Sequence, residues 1–360
     1  MSNGTDIPSC IDAALERTPL VSVVVPAYNA APFIGATLES VFAQSFTDLE
    51  VLVVNDGSPD TPDLEIALKP RQSQIRYIRQ ENRGPSGARN AGIRSARGKY
   101  VAFLDSDDFW LPHHLAKQVE HLQADSSLQM VYANGLLLRG DVPAGILFDA
   151  SPQSLPVDLD CLLHERSTVI TSSVVALRQA LVNVGMFDEQ FRRVEDYDLW
   201  LRLVQAGGRI SFTREIQIHH RQANGLAANW KLMRRALIQV YEKHLALGTL
   251  NAQQARFVRQ KIHSIAMAID FQDAKQALLE GQFSAALESV HKVQTSDPSW
   301  KLALAQIGLR RFPRLLQSLY RLHLRRLQQQ YRDRNARSLK KAGFDGLAPN
   351  TETFGDPTLT

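Results

Sequence analysis

Between Pro19 and Leu111 the chain alternates short, nearly all-apolar runs with stretches of helical periodicity. The runs "LVSVVVPAY", "LEVLVVND", "IRYIRQ" and "KYVAFLD" have the length and content of strands, and the segments near Phe33–Gln44, Asp63–Gln72 and Ser86–Ala96 read as helices between them. Tyr100 to Leu104 leave no polar face, which predicts a strand covered on both sides. Strands separated by helices at this spacing predict an α/β fold, a mostly parallel sheet flanked by helices. Ligands of such sheets sit beyond the carboxyl ends of the strands. Those ends carry Tyr28 with Asn29, Asp56, and the cluster Asp105, Asp107 and Asp108, so polar side chains from separate strands should converge on one crevice.

Three carboxylates after a buried strand repel one another, and desolvating them is costly unless a cation or a helix N-terminus neutralises them. Hard oxygen ligands favour Mn2+ or Mg2+, which take one or two carboxylates and complete their shell with phosphate oxygens. Capping of a helix starting near Leu111, with Pro112 in its first turn, accounts for Asp107 or Asp108 but not for all three. The turn chemistry of "NDGS" likewise offers Asp56 a local role. "GPSGARNAG" combines the N–H groups of a helix start near Ser86 with the cation of Arg89, a pairing suited to a diphosphate. Asn90 and Gly92 in the same stretch are equally suited to close packing of helix on sheet. The Gly-x-Gly-x-x-Gly pattern is absent after the first strand, which argues against a dinucleotide-binding dehydrogenase.

After Leu111 the order becomes mixed. A helix to about Gln123 is followed by strand-like "QMVYANGLLLRG", a loop rich in Pro and Asp, then "SSVVALR" and "GGRISFTREIQIHH", which should extend the sheet and supply the second wall of the crevice. From about Asn224 helical periodicity takes over. "AKQALLEGQFSAALESVHKVQTSDPSW" looks like one helix pair of tetratricopeptide type, but stacking needs several copies, so a helical cap on the sheet domain is the plainer expectation. Residues 309–341 interleave Leu, Phe and Tyr with Arg and hold a single acid. Such a helix either lies on an anionic membrane surface or docks its leucines on the protein. The divisions expected are a flexible N-terminus at 1–18, a sheet domain at 19–224, a helical region at 225–344 and a disordered tail at 345–360.

A net charge of +4 over 360 residues gives no ground for a nucleic-acid partner. Two cysteines, Cys10 and Cys161, cannot make a framework of bridges and lack metal-ligand spacing, so a cytoplasmic location is expected. No cleaved signal is recognisable at the start, and no apolar run approaches the roughly 20 residues of a membrane helix. Membrane contact, if made, is peripheral, at the inner face of the plasma membrane.

Four ordered motifs, "VSVVVPAYNA", "VLVVNDGSPD", "NRGPSGARNAGIRSARGKYVAFLDSDD" and "VEDYDLWLRL", together resemble the inverting family 2 nucleotide-sugar glycosyltransferases, over about Leu20 to Asn224. The resemblance implies a GT-A fold, here with an α-helical C-terminal extension. It implies that Pro26, Tyr28 and Asn29 approach the nucleotide and that Asp56 reads the N–H of a uracil-like base. A carboxylate can accept that bond and not donate one. By the same resemblance "DSD" is the family's Asp-x-Asp motif, with Asp107 on a metal that bridges the donor phosphates, Asp105 on the ribose or the metal's shell, and Asp108 able to replace either. Asp196 matches the catalytic base and Glu195 an acceptor-binding residue. An ordinary aspartate, with a pKa of about 3.9, is ionised at neutral pH, so proton removal must be concerted with attack of the acceptor hydroxyl. The plain alternative for Asp196 is helix capping. Asp198 and Arg202 stand at i,i+4 spacing and suggest an ion pair, and Trp200 is either core or acceptor wall. His219 and His220 in "IQIHHRQANG" depart from the family's commoner Tyr-Arg, leaving His220 as a candidate phosphate contact.

The processive synthases' Gln-x-x-Arg-Trp motif and membrane helices are missing. What the resemblance implies is transfer of a single sugar, with inversion, from a nucleotide donor, most simply a UDP-sugar, using Mn2+ or Mg2+. The acceptor is a glycan or lipid-linked hydroxyl in cell-surface polysaccharide, lipopolysaccharide or glycolipid assembly. Two readings compete: a sugar nucleotidyltransferase, which would begin with a glycine-rich signature where this chain has "PAYNAAP", and a noncatalytic helical-repeat binding protein.

Overall fold

The computed structural model describes residues 18–151, 153–221 and 226–341. The expectations for 1–18 and 345–360 fall, apart from residue 18, outside the described residues. The described residues form two compact units: those within 18–134, 169–190 and 202–218 make the first, and those within 135–168, 191–201 and 219–341 the second.

The first unit opens with strand β1 (Val21–Ala27), helix α1 (Ile34–Phe42), β2 (Leu49–Asp56), α2 (Thr61–Leu68), β3 (Arg76–Gln80), α3 (Gly84–Ser95) and β4 (Tyr100–Phe103). Each strand and helix expected of this stretch is therefore present. β1 pairs in parallel with β2 on one side and β4 on the other, and β3 adds in parallel to β2. Val21, Val23 and Val25 pack with Ile34, Leu38 and Val41 of α1 on one face of the sheet. On the opposite face α3 comes so close that a Cβ on Gly92 would lie 2.3 Å from Val24 Cγ1. Both faces are thus covered, and the apolar runs follow from that.

Short β5 (Phe109–Trp110) and α4 (His114–Ala124) come next, followed by β6 (Leu128–Arg139), whose residues from Gly135 belong to the second unit. The helix expected from near Leu111 starts at His114, and its N-cap residue is His113, well past the aspartates. In the second unit the end of β6 forms an antiparallel hairpin with β7 (Val142–Ile146), followed by α5 (Leu147–Ala150) and α6 (Leu159–Leu163). The chain then supplies the first unit with β8 (Val175–Leu177) and α7 (Arg178–Asn183). α8 (Glu195–Gln205) passes from the second unit to the first after Leu201, and β9 (Arg209–Arg221) returns to the second after Ile218. Along the first unit's sheet the strands run β3-β2-β1-β4-β8-β6-β9-β5, with β8 antiparallel to both β4 and β6. The sheet is therefore mixed rather than wholly parallel.

Five helices complete the second unit: α9 (Leu226–Ala246), α10 (Ala252–Glu280), α11 (Phe283–Ser296), α12 (Trp300–Arg311) and α13 (Pro313–Lys341). α10 is opened by a capping box of Asn251 and Gln254. It is closed by Gly281 at φ 79°, where Gln282 N–H bonds the Ala277 carbonyl and Gly281 N–H that of Leu278. That left-handed stop lets α11 fold back on α10. Ala277 and Leu278 then pack with Ala286, Val290 and Leu309, and Leu316 and Tyr320 of α13 close over them.

Candidate active site

In the first unit the chain runs from β1 through β2 to β3 in one direction, then crosses back over β1 to form β4. The reversal opens a crevice between the carboxyl ends of β1 and β4, the position where open α/β sheets bind ligands. Tyr28 and Asn29 leave β1 there, both exposed, with Pro26 half-buried just before them. Asn29 takes φ 52°, a left-handed conformation that asparagine tolerates better than most residues. The turn is pinned to the one after β2. Asn29 N–H donates to Ser58 Oγ at 2.7 Å, Ala31 N–H donates to Asp60 Oδ2 at 2.9 Å, and the Ser58 hydroxyl is bonded to the Asp60 carboxylate. Beneath them Asn55, fully buried, donates to Thr61 and Tyr77 and accepts from Ser58 N–H. Asp56 is buried, and its Oδ1 accepts from Gln80 Nε2 at 2.7 Å and from Arg83 N–H at 2.9 Å. Neither bond uses Oδ2, the oxygen that remains to accept an N–H from a ligand.

The aspartate cluster is a tight turn closed by Asp108 N–H on the Asp105 carbonyl, 3.1 Å. The Thr37 hydroxyl of α1 lies 2.8 Å from both the Ser106 and Asp108 carbonyls and holds the turn from one side. Ser172 holds it from the other. Its hydroxyl donates to Asp108 Oδ2 at 2.5 Å and accepts from Asp105 N–H at 3.2 Å, while its carbonyl accepts from Trp110 Nε1 at 2.7 Å. Asp108 is thereby fully buried. Asp105 Oδ1 is taken by Arg89 at 2.6 Å, and that guanidinium, itself buried, lies over the Phe187 ring at 5.5 Å. Asp107 is half-buried at the apex.

Sequence spacing left the three carboxylates interchangeable, and their surroundings distinguish them. The carboxylates of Asp107 and Asp105 are hard oxygen donors of the kind Mg2+ or Mn2+ accepts when substrate phosphates supply the remaining ligands. Among the described residues no three His, Cys, Asp or Glu side chains are grouped as a complete protein cage, and a metal held in part by substrate needs none. The residues fit such an ion.

Two residues read from the sequence as ligand-facing or packing take definite tasks here. Arg89 holds Asp105. Asn90 bonds the Phe187 carbonyl, the Phe187 N–H and Glu189 Oε1 at 2.8, 2.9 and 3.0 Å, which places it in packing. His114, fully buried with its ring 4.7 Å from that of Trp110, has its pKa lowered to about 3 by desolvation, which the nearby Gln217 only partly opposes.

In the second unit α8 begins with Glu195, buried, and Asp196, half-buried. Val194 before them takes φ 51°, an unusual conformation for a β-branched residue. Asp196 Oδ1 accepts the adjacent Tyr197 N–H at 2.7 Å. The Tyr197 hydroxyl donates to the Leu162 carbonyl at 3.0 Å, and burial raises its pKa well above the usual value. Asp198 is fully buried and held by Lys243 Nζ at 2.7 Å and by His244 Nε2 at 3.2 Å. Arg202, its expected i,i+4 partner, donates within the first unit to the carbonyls of Val184 and Met186. Trp200 is buried. His219 and His220 are half-buried on β9; burial lowers the His219 pKa, and Arg221 lowers it further.

Ser58, Asp60, Thr37 and Ser172 were not singled out from sequence. The first two stand in "NDGSPD", where Ser and Asp flanking a turn could have been read as its cross-links. Thr37 and Ser172 carry no local signal, because their partners lie 69 and 64 residues away.

Residues 22–135 match the model of glycosyl transferase family 2. A glycosyltransferase of Rickettsia prowazekii is 31% identical over 226 residues, which cover 59% of this chain and 68% of that one. The chain belongs to glycosyl transferase family 2. The Escherichia coli protein UDP-Glc:alpha-D-GlcNAc-diphosphoundecaprenol beta-1,3-glucosyltransferase WfaP is 29% identical over 212 residues, 58% of this chain and 80% of WfaP. The chain spans 44%, 68% and 34% of the lengths of three Rickettsia relatives that it matches. Two solved structures share the fold at 20% identity. The mannosyltransferase PcManGT of Pyrobaculum calidifontis, in complex with GDP-Man and Mn2+, superposes with TM-score 0.55 over 84% of each chain. S. aureus TarS 1-349 with UDP gives 0.52 over 77% of this chain and 81% of its own. The fold is GT-A, with α10–α13 as its helical C-terminal region.

Proposed function

We propose that this family 2 member transfers a single sugar, with inversion, from a nucleoside-diphosphate sugar to an acceptor hydroxyl. A UDP-sugar is the first candidate donor. The observation that carries the reading is the convergence at the strand reversal of Tyr28, Asn29 and Asp56 with the pinned turn of Asp105, Asp107 and Asp108. Asp56 reads the base imide, and the turn presents Asp107 to the diphosphate side. A bound Mn2+ or Mg2+, held by Asp107 with Asp105, would supply Lewis-acid stabilisation of the departing diphosphate. Arg89 acts through Asp105, fixing its orientation. Asp196 takes the acceptor proton as the hydroxyl attacks opposite the leaving group, Glu195 orients the acceptor, and His220 is a further phosphate contact. The acceptor is a glycan or lipid-linked hydroxyl of cell-surface polysaccharide, lipopolysaccharide or glycolipid assembly. Support for a lipid-linked acceptor comes from the name of the E. coli relative, whose substrate is carried on diphosphoundecaprenol. The protein acts at the cytoplasmic face of an anionic membrane; no described helix is long and apolar enough to cross one.

Calorimetric titration with UDP, dTDP, GDP and CDP, each with and without Mn2+, tests the donor site. The expected result is metal-dependent binding of one nucleotide, lost in Asp107→Ala. Absence of binding by all four would overturn the reading. Asp196→Asn is expected to lower turnover by about 10²- to 10⁴-fold while nucleotide affinity is unchanged, and retained turnover would remove Asp196 as the base.

A further inference from the structure

The second unit ends in a surface that a water-facing protein has no use for. On α12 Trp300, Leu304 and Ile307 recur at i, i+4 and i+7, opposite the face that buries Leu309; on α13 Leu315, Leu319 and Leu322 repeat the spacing, away from Leu316 and Tyr320. Phe312 stands between the two helices, at the C-cap of α12. All seven side chains are between 49% and 70% exposed. The usual explanation of a leucine-rich amphipathic helix, that its leucines dock on the protein, is already satisfied by the other face. Exposed large apolar side chains in this number on two consecutive helices mark an interaction site.

Charge decides what kind. Residues 309–341 hold nine Arg and two Lys against one Asp, a net of +10, so with +4 overall the rest of the chain carries −6. Arg311, Arg314 and Arg326 are exposed around the stripes. A second copy would set +10 against +10. Nucleic acid offers phosphates but nothing to bury seven large apolar side chains. A bilayer with anionic headgroups satisfies both requirements, taking the apolar side chains to the headgroup and acyl boundary and the arginines to the phosphates.

We propose that α12 and the first half of α13, with Trp300, Ile307, Phe312, Leu315, Leu319 and Leu322 as its anchors, form a docking face for an anionic lipid bilayer. This rests on the peripheral reading above and gives it a surface, wider than residues 309–341 because α12 contributes. The face lies parallel to the membrane, and none of its residues belongs to the donor group.

The test is flotation of the full chain with vesicles of phosphatidylcholine alone and with vesicles one-third phosphatidylglycerol. Binding to the anionic vesicles only, weakened by salt, is expected. Arg311→Gln, Arg314→Gln and Arg326→Gln together should weaken partitioning about a hundredfold, at about fivefold per arginine. The combined Leu315→Ser, Leu319→Ser and Leu322→Ser variant should no longer float. Nucleotide titration on the same preparations should be unchanged, so a failed vesicle experiment with intact nucleotide binding sinks this inference alone. Equal binding to neutral vesicles, full flotation of the leucine variant, retention by RNA in place of lipid, or a dimer in sedimentation velocity that Leu319→Ser dissociates would each overturn it.

Discussion

At the carboxyl ends of β1, β2 and β4 polar side chains are few, and most are fixed by a partner distant in sequence. On α12 and α13 many exposed side chains of one charge stand beside apolar ones, while Gln317 and Arg321 tie α13 to the Leu278 and Leu279 carbonyls of α10. Asp56 is held by Gln80 and Arg83, Asp105 by Arg89, and Asp108 by Ser172, all at 2.9 Å or less. A small ligand with directional hydrogen bonds gains from that rigidity, since orientation is set before it arrives. A broad, fluid partner needs no such order, only area and charge. The same chain therefore builds one surface by over-determination and another by accumulation.

The sharpest way to probe the over-determined region is pH. Folded His114 takes a proton only below about pH 3, whereas in the unfolded chain it titrates near 6.5. Between those values the unfolded state gains a proton that the native state lacks, so stability falls as pH drops through the window and is unaffected above it. The loss reaches about 5 kcal/mol at the bottom. Denaturant melts from pH 7 to 4 should show this slope, and His114→Phe should flatten it. An equal slope in the variant would mean that the region beneath the turn is less tightly closed than described.

Gly92→Ala comes next. Its Cβ would meet Val24 at 2.3 Å, and overpacking of this kind costs about 1–3 kcal/mol, to be read as a shift in the denaturant midpoint. The smallest effect belongs to the other region: each of Leu315→Ser, Leu319→Ser and Leu322→Ser should change stability in solution by no more than about 0.5 kcal/mol. If these match Gly92→Ala in size, the contrast collapses and the face is core.

The first four strands and the helices between them were readable because buried parallel strands announce themselves as apolar runs, and the strand ends then located Tyr28, Asp56 and the aspartates. Which aspartate does what was not readable. That depends on Ser172 and Arg89, and nothing in "DSDD" distinguishes a carboxylate sealed by a hydroxyl 64 residues later. Asp198 shows the same limit, since nothing near it in the sequence pointed to Lys243 and His244, which lie 45 and 46 residues on. The exposed stripes were half visible: periodicity revealed an amphipathic helix, but not that its neighbour α12 has one as well.

The strand order carries a consequence for how the molecule is made. β8 lies between β4 and β6 although it is synthesised after both. On the ribosome β4 and β6 emerge with a gap between them, and the centre of the sheet stays open until Val175–Leu177 has appeared. Ser172 arrives on the same segment. Nascent chains that already contain every motif up to Asp108 therefore still lack the strand that completes the sheet and the hydroxyl that seals the turn, so the aspartate turn matures in one late step, and a stalled translation product ending near residue 135 would expose the bare edge of β4.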